Sequence, residues 1–401
     1  MKARISATLF PILAALVALS LTLSAAPALA AKGKKPDKKA PAAPAAPGKP
    51  SDKPAAGAPV EQGAGANYKD ISAPQRKPVN VSPCDNKEAV SAHGPYASGD
   101  CSICHAKNDP KDPGPAQKPV NKVCFSCHDE FTDLFASRKA RHIVAEENCT
   151  NCHNPHNSKQ PHLLVSRPPA LCVGCHTKIK SKMEARVQHG ALTQGASCVN
   201  CHNPHASNIE KLLIALPFDL CVNCHSKDDI TDGDGKKLVN FKTLLDDNPV
   251  HHAPVADKDC SACHQPHGGD NFRLLGEVYP ARFYAPFNPE NYALCFECHD
   301  SKMISTKETT TATRFRNGNR NLHFVHVNKP DRGRTCRACH EVHASKQAFQ
   351  VRDSVPFGSK GWLLQVNYKK NADGGTCDKT CHTAKTYVNV VKTAGNAQAA
   401  P

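Results

Sequence analysis

The stretch His142…Cys149-Thr150-Asn151-Cys152-His153-Asn154-Pro155-His156…Leu163-Leu164…Leu171-Cys172-Val173-Gly174-Cys175-His176 decides how this chain is read. The same order returns as His189…Cys198-Val199-Asn200-Cys201-His202-Asn203-Pro204-His205…Leu212-Leu213…Leu220-Cys221-Val222-Asn223-Cys224-His225. Working outward from these two units, Cys-x-x-Cys-His occurs nine times. The cysteine pairs are Cys101 with Cys104, Cys124 with Cys127, Cys149 with Cys152, Cys172 with Cys175, Cys198 with Cys201, Cys221 with Cys224, Cys260 with Cys263, Cys295 with Cys298 and Cys336 with Cys339. A tenth motif, Cys377-Asp378-Lys379-Thr380-Cys381-His382, carries one extra residue between its cysteines. These ten motifs use 20 of the 21 cysteines and leave only Cys84.

The spacing has a chemical reason. Two thiols on one turn of chain can add across the two vinyl groups on one porphyrin edge. The histidine that follows then reaches the iron as its proximal ligand, which is the attachment signature of c-type haem. Zinc ribbons and disulfide frameworks also use closely spaced cysteines, but neither requires a histidine after every second one. The expectation is ten covalently attached haems c, with His105, His128, His153, His176, His202, His225, His264, His299, His340 and His382 as proximal ligands.

Composition agrees. The 401 residues are 39% hydrophobic and 5% aromatic, with one tryptophan against 32 prolines and 22 histidines. That is poor material for a core of aliphatic packing, so cofactors must organise the chain. The one long apolar run excludes a polytopic membrane protein. Lys2 and Arg4, the apolar stretch from Ile5 to Leu23 and the small-residue ending Ala28-Leu29-Ala30 read as an export signal over residues 1–30. An uncleaved anchor is the rival reading, but the ending favours cleavage, which leaves no stable membrane span. Residues 31–66, almost entirely Ala, Pro, Lys and Gly, read as a disordered tether. The formal net charge of +15 suggests nucleic acid. Six of those charges lie in the leader and tether, however, and ten haems would bring about twenty propionates. No basic–aromatic interleaving suggests stacked bases, so no nucleic-acid partner is expected.

The motifs pair into five units. First to second motif is 23 residues in the first three pairs, then 35 and 41. The units span about 93–135, 142–182, 189–227, 251–303 and 323–385 within a domain of 67–400. Unit one is degenerate, with His93 upstream but no second histidine after His105. Residues 228–250 and 276–292 read as surface-loop insertions, and the repeated Leu-Leu pairs as packing on the cofactor.

This pattern resembles the doubled Cys-x-x-Cys-His multihaem cytochromes c, and among them the decahaem periplasmic cytochromes of porin–cytochrome conduits. The resemblance covers about residues 93–382. It implies a fold of short helices and loops wrapped round an elongated haem chain, with little regular secondary structure and no protein-only core. It also implies other c-type cytochromes as partners, an outer-membrane β-barrel porin as a further one, and a periplasmic, outer-membrane-associated or extracellular site of action.

Twelve histidines remain for the distal faces, while Met183 and Met303 are the only methionines after the leader. Bis-histidine, low-potential haems are therefore expected. His156 follows His153 too closely to circle the same porphyrin, so it should ligate a neighbouring haem, and His205, His267 and His343 likewise. The upstream set is His93, His142, His189, one of His251/His252 and one of His323/His326. We take His252 and His326, with His162 as the tenth distal candidate. Six-coordinate haems expect no substrate at iron, so the leading function is electron transfer rather than catalysis. The alternatives are a multihaem reductase with one open haem, best placed in unit one, and a filament-forming extracellular cytochrome.

Overall fold

In every unit the first motif begins in a single tight turn of 3-10 helix: Cys101–Ile103, Cys149–Asn151, Ser197–Asn200, Cys260–Ala262 and Cys336–Ala338. Local chemistry starts three of these turns. The side chains of Asp100, Asn148 and Asp259 accept the backbone N–H of Ser102, Thr150 and Ala262, satisfying donors a helix start leaves open. The first four second motifs lie on or at the end of short α-helices: Val120–Phe125, Ala170–Val173, Pro217–His225 and Ala293–Phe296. In motif after motif the histidine N–H donates to the carbonyl of the first cysteine, for example His105 to Cys101 at 2.9 Å and His176 to Cys172 at 3.0 Å. That one turn sets two thiols and an imidazole on one side of the chain.

A computed structural model describes residue 85 and residues 87–358, 360–378 and 381–390. The expected leader, the tether and Cys84 lie outside the described residues. Among those described, the longest helix is the nine-residue Pro217–His225, and no helix is long and apolar enough to cross a membrane. Strands are short and scattered. This is the loop-rich fold expected of a multihaem cytochrome, with few short helices and no closed barrel.

Two-residue antiparallel ladders join successive units. Ser91–Ala92 pairs with Asn157–Ser158, Ala140–Arg141 with Ala206–Ser207, and Val250–His251 with Ala344–Ser345. Between units three and four the ladder shrinks to a single bridge, Val187 to Gly269. Each ladder ties the segment upstream of one unit to the segment that follows the first motif of the next.

Unit five departs from the repeat. The tenth motif lies between Gly374–Cys377 and Lys385–Val388, strands of a three-stranded antiparallel sheet completed by Tyr368–Asn371. A hairpin of Ser354–Phe357 and Trp362–Gln365 precedes it. Residues 276–292 also depart from expectation. They are not wholly a surface loop: much of the segment is exposed, but Tyr279 and Tyr292 pack with Ile304 and Val327 into a small buried cluster where units four and five meet. Their aromatic bulk fills space that a polar loop would leave to water. Beside them Asn321 is fully buried. It donates to the carbonyls of Met303 (3.0 Å) and Thr306 (2.8 Å) and accepts from Phe324 N–H (3.2 Å). Replacing it strands two buried acceptors and a donor. Asn321→Ala is expected to cost about 1–3 kcal/mol, read as a lower midpoint in denaturant unfolding of the holoprotein.

Candidate metal centres

The proximal histidines of the five first motifs share one hydrogen bond. Nδ1–H of His105, His153, His202, His264 and His340 donates to the carbonyl nine residues on: Gly114 (2.7 Å), His162 (2.8 Å), Lys211 (2.7 Å), Arg273 (3.0 Å) and Phe349 (2.8 Å). A carbonyl can only accept, so the bond fixes the tautomer and leaves Nε2 free to bind a metal, the usual arrangement behind a metal-bound histidine. The acceptor residues are held in an uncommon conformation. Gly114 has φ +75°, while His162, Lys211, Arg273 and Phe349 have φ of +57°, +58°, +54° and +62°. The next residue in each of those four turns, Leu163, Leu212, Leu274 or Gln350, is also left-handed. Left-handed backbone costs a residue other than glycine roughly 1–2 kcal/mol, and it recurs here because it aims a carbonyl at the imidazole. The first leucine of the Leu-Leu pairs thus shapes this turn, a role the sequence does not announce.

The histidine rings then fall into ten pairs. His105 faces His156 (6.2 Å between ring centres), His128 faces His93 (6.2 Å), His153 faces His205 (6.2 Å), His176 faces His142 (6.1 Å) and His202 faces His267 (6.0 Å). His225 faces His189 (6.3 Å), His264 faces His343 (6.3 Å), His299 faces His252 (6.1 Å), His340 faces His323 (6.3 Å) and His382 faces His326 (6.5 Å). Nine of the pairs are within 30° of parallel and the last is tilted by 42°. Every pair joins one motif histidine to one histidine from outside the motifs. With imidazole–metal bonds of about 2.0 Å and a ring nitrogen roughly 1.1 Å from its own centre, two imidazoles on opposite faces of one iron stand about 6.2 Å apart. The residues therefore fit a bis-histidine haem at each motif. A structural zinc needs four protein ligands, and among the described residues no three His, Cys, Asp or Glu side chains converge on a metal position.

The pairing follows a rule. In units one to four the upstream histidine faces the second-motif histidine of its own unit. The histidine three residues beyond a first motif faces the first-motif histidine of the preceding unit. The ladders enforce both at once, since His93, His142 and His252 donate their backbone N–H to the carbonyls of His156, His205 and His343 at 2.8, 2.8 and 3.0 Å. His142 and His189 also donate Nδ1–H to the carbonyls of Pro204 (2.9 Å) and Pro266 (3.0 Å). In unit five the helix Leu322–Val327 supplies both His323 and His326, which face His340 and His382.

Two expectations differ from this arrangement. His162 enters no ring pair among the described residues; its carbonyl serves His153 while its ring is exposed. His323 occupies the tenth place instead, because two histidines three apart lie on one face of a helix. Unit one is likewise not short of a ligand, since His156 of unit two stands opposite His105. His251, the other half of its pair, turns away and bonds the Leu245 carbonyl through Nε2 at 3.2 Å.

Burial keeps these rings in the neutral form that binds metal. It lowers His176, His205, His225, His252, His264, His267, His326 and His340, and takes His343 to about 4 and His323 to about 3.

The cysteines are less uniform in setting than the repeat suggests. The second cysteine of every second motif is exposed: Cys127, Cys175, Cys224, Cys298 and Cys381. The other fifteen motif cysteines are all partly covered. The sequence, in which the two cysteines of a motif look equivalent, gives no hint of this difference. Exposure does not conflict with attachment. The turn of chain aims the thiol, as in Cys298, whose N–H donates to the Cys295 carbonyl at 3.3 Å. A thioether to a porphyrin edge needs that aim rather than a protein wall around the sulfur.

Cysteines of neighbouring units lie close together: Cys124 beside Cys149, Cys172 beside Cys198, Cys221 beside Cys260 and Cys295 beside Cys336.

The family model of the doubled CXXCH motif matches the chain four times, over residues 93–133, 142–181, 189–230 and 252–304. These matches support a multihaem c-type cytochrome. Motifs of this kind bind haem c covalently, and the role of that family is electron transfer. The matches stop before unit five, where the motifs are farthest apart and the tenth is lengthened. No curated protein matches the chain.

The strained turn gives a direct test. Lys211→Ile puts a β-branched residue at φ +58° and should lower stability further, whereas Lys211→Gly keeps the carbonyl and relieves the strain without loss. Denaturant unfolding followed by Soret absorbance separates the two outcomes.

Proposed function

We propose that the chain is a decahaem cytochrome that carries electrons by outer-sphere transfer along ten bis-histidine haems. The observation that carries this reading is the set of ten histidine pairs, each joining a motif histidine to an outside one across 6.0–6.5 Å. Haem supplies the one-electron couple. The residues supply the rest. Twenty cysteines fix the macrocycles, and two imidazoles per iron leave no axial position for substrate. Histidine in place of methionine holds the potentials low, and cysteines of neighbouring units lie beside one another, which sets consecutive attachment points close together.

Export through the leader, with transfer between periplasmic donors and an outer-membrane or extracellular acceptor, completes the proposal. Other c-type cytochromes are the partners, and an outer-membrane β-barrel is the candidate sheath. The reductase alternative leaned on an open iron in unit one, and His156 opposite His105 takes that support away. The filament alternative leaned on ligands shared between chains, whereas here ten pairs close within one chain.

The test is quantitative EPR of the oxidised holoprotein with haem content measured on the same sample. Ten haems, all low-spin, are expected once spin-coupled neighbours are accounted for. His156→Ala should open the iron at His105 and His323→Ala the iron at His340, each adding one high-spin haem, while His162→Gln adds none. A stoichiometric high-spin haem in the unmutated protein would overturn the conduit reading. A His156→Ala protein that stays fully low-spin would overturn the ligation between units.

A further inference from the structure

The helix Leu322–Val327 supplies two outside histidines, and the protein holds them in different ways. His326 donates Nδ1–H to the Leu322 carbonyl, four residues back on the same helix, at 2.7 Å. His323 is only the second residue of the helix. The carbonyl four residues before it belongs to Asn319, ahead of the first helical turn. Its Nδ1 meets the Thr313 hydroxyl instead, at 2.9 Å. In units two and three the upstream histidines use backbone, His142 the Pro204 carbonyl and His189 the Pro266 carbonyl.

With Nε2 committed to a metal, Nδ1 carries the proton, so the Thr313 oxygen accepts. The same oxygen accepts Phe315 N–H at 3.0 Å, which uses both of its lone pairs and fixes its direction. Phe315 is anchored in turn. Its carbonyl accepts the N–H of Leu322, where the helix starts, at 3.0 Å. Its ring stands edge-on to His323 at 5.1 Å and stacks on His326 at 5.6 Å. The Thr313 bond is partly buried. It lies at the nitrogen that a metal on Nε2 leaves free, so a porphyrin between His323 and His340 does not compete for it. An acceptor at this nitrogen orients a metal-bound imidazole and raises its basicity. A more basic ligand favours ferric over ferrous iron.

We propose that Thr313 is the positioning residue for His323: its hydroxyl fixes the tautomer and rotation of that imidazole, and with them the ligand strength at the iron between His340 and His323. This rests on the bis-histidine reading above. It assigns one site of the array a side-chain control that a substitution can remove without touching a ligand or an attachment cysteine.

The test is a spectroelectrochemical titration of the holoprotein, with haem content and low-spin count measured on every sample. Thr313→Val removes the acceptor at nearly constant shape and should raise one redox component while ten haems stay low-spin. Thr313→Ser keeps the hydroxyl and should leave that component in place. In a His323→Ala background Thr313→Val should shift nothing further, because the imidazole it acts on is gone. A merely structural Thr313 would disturb the titration with or without His323. Thr313→Ala repeats the removal with a smaller side chain. A component that stays or falls in both Thr313→Val and Thr313→Ala, an equal shift in Thr313→Ser, a shift that persists in the His323→Ala background, or loss of haem from both Thr313→Val and Thr313→Ala would overturn this inference alone. A His323→Ala protein that stays fully low-spin would instead overturn the bis-histidine reading on which it rests.

Discussion

The short ladders between successive units are the constraint on which the rest of the architecture depends. Each is only two residue pairs long, or one between units three and four, and so contributes little stability by itself. Its effect is positional. Pairing Ala140–Arg141 with Ala206–Ser207 brings His142 and His205 into adjacent register, where each meets a motif histidine on a different porphyrin face. A one-residue slip would turn both imidazoles to the wrong side of the strand. Haems at the motifs would in turn supply the apolar surface that the sequence lacks.

Ring pairing between units also accounts for the irregular members of the repeat. A histidine three residues after a first motif faces the first-motif histidine of the unit before it; none follows His105, and His105 itself is faced by His156 of unit two. In unit five the helix Leu322–Val327 carries both His323 and His326, which face His340 and His382.

The unit-five end is also where protein packing takes over from cofactor. The widened spacings in units four and five accommodate the cluster of Tyr279, Tyr292, Ile304 and Val327, the small sheets and the buried arginines. A redox chain built of identical ligand pairs can differ in potential from site to site only through charge, burial and hydrogen bonding. This is the region where the first two differ most visibly from the repeat.

The motif count, the class of cofactor and the five-unit organisation were legible in the amino-acid order, because covalent attachment demands a fixed local spacing that no other chemistry here shares. That His156, His205, His267 and His343 would turn to a motif histidine other than the one three residues before them was legible too, from the impossibility of reaching round one porphyrin within three residues. Which histidines face the last motif histidines was not. His162 and His323 are equivalent as residue types, and only the backbone distinguishes them. One lies in a left-handed turn that spends its carbonyl on His153, and the other is on a helix face beside His326. The partner of His105, the exposure of Cys298 and its counterparts, and the burial of Tyr279 and Tyr292 were hidden for the same reason. All depend on which segments, tens of residues apart, come to lie against one another. Tertiary packing decides those contacts, and local spacing is blind to them.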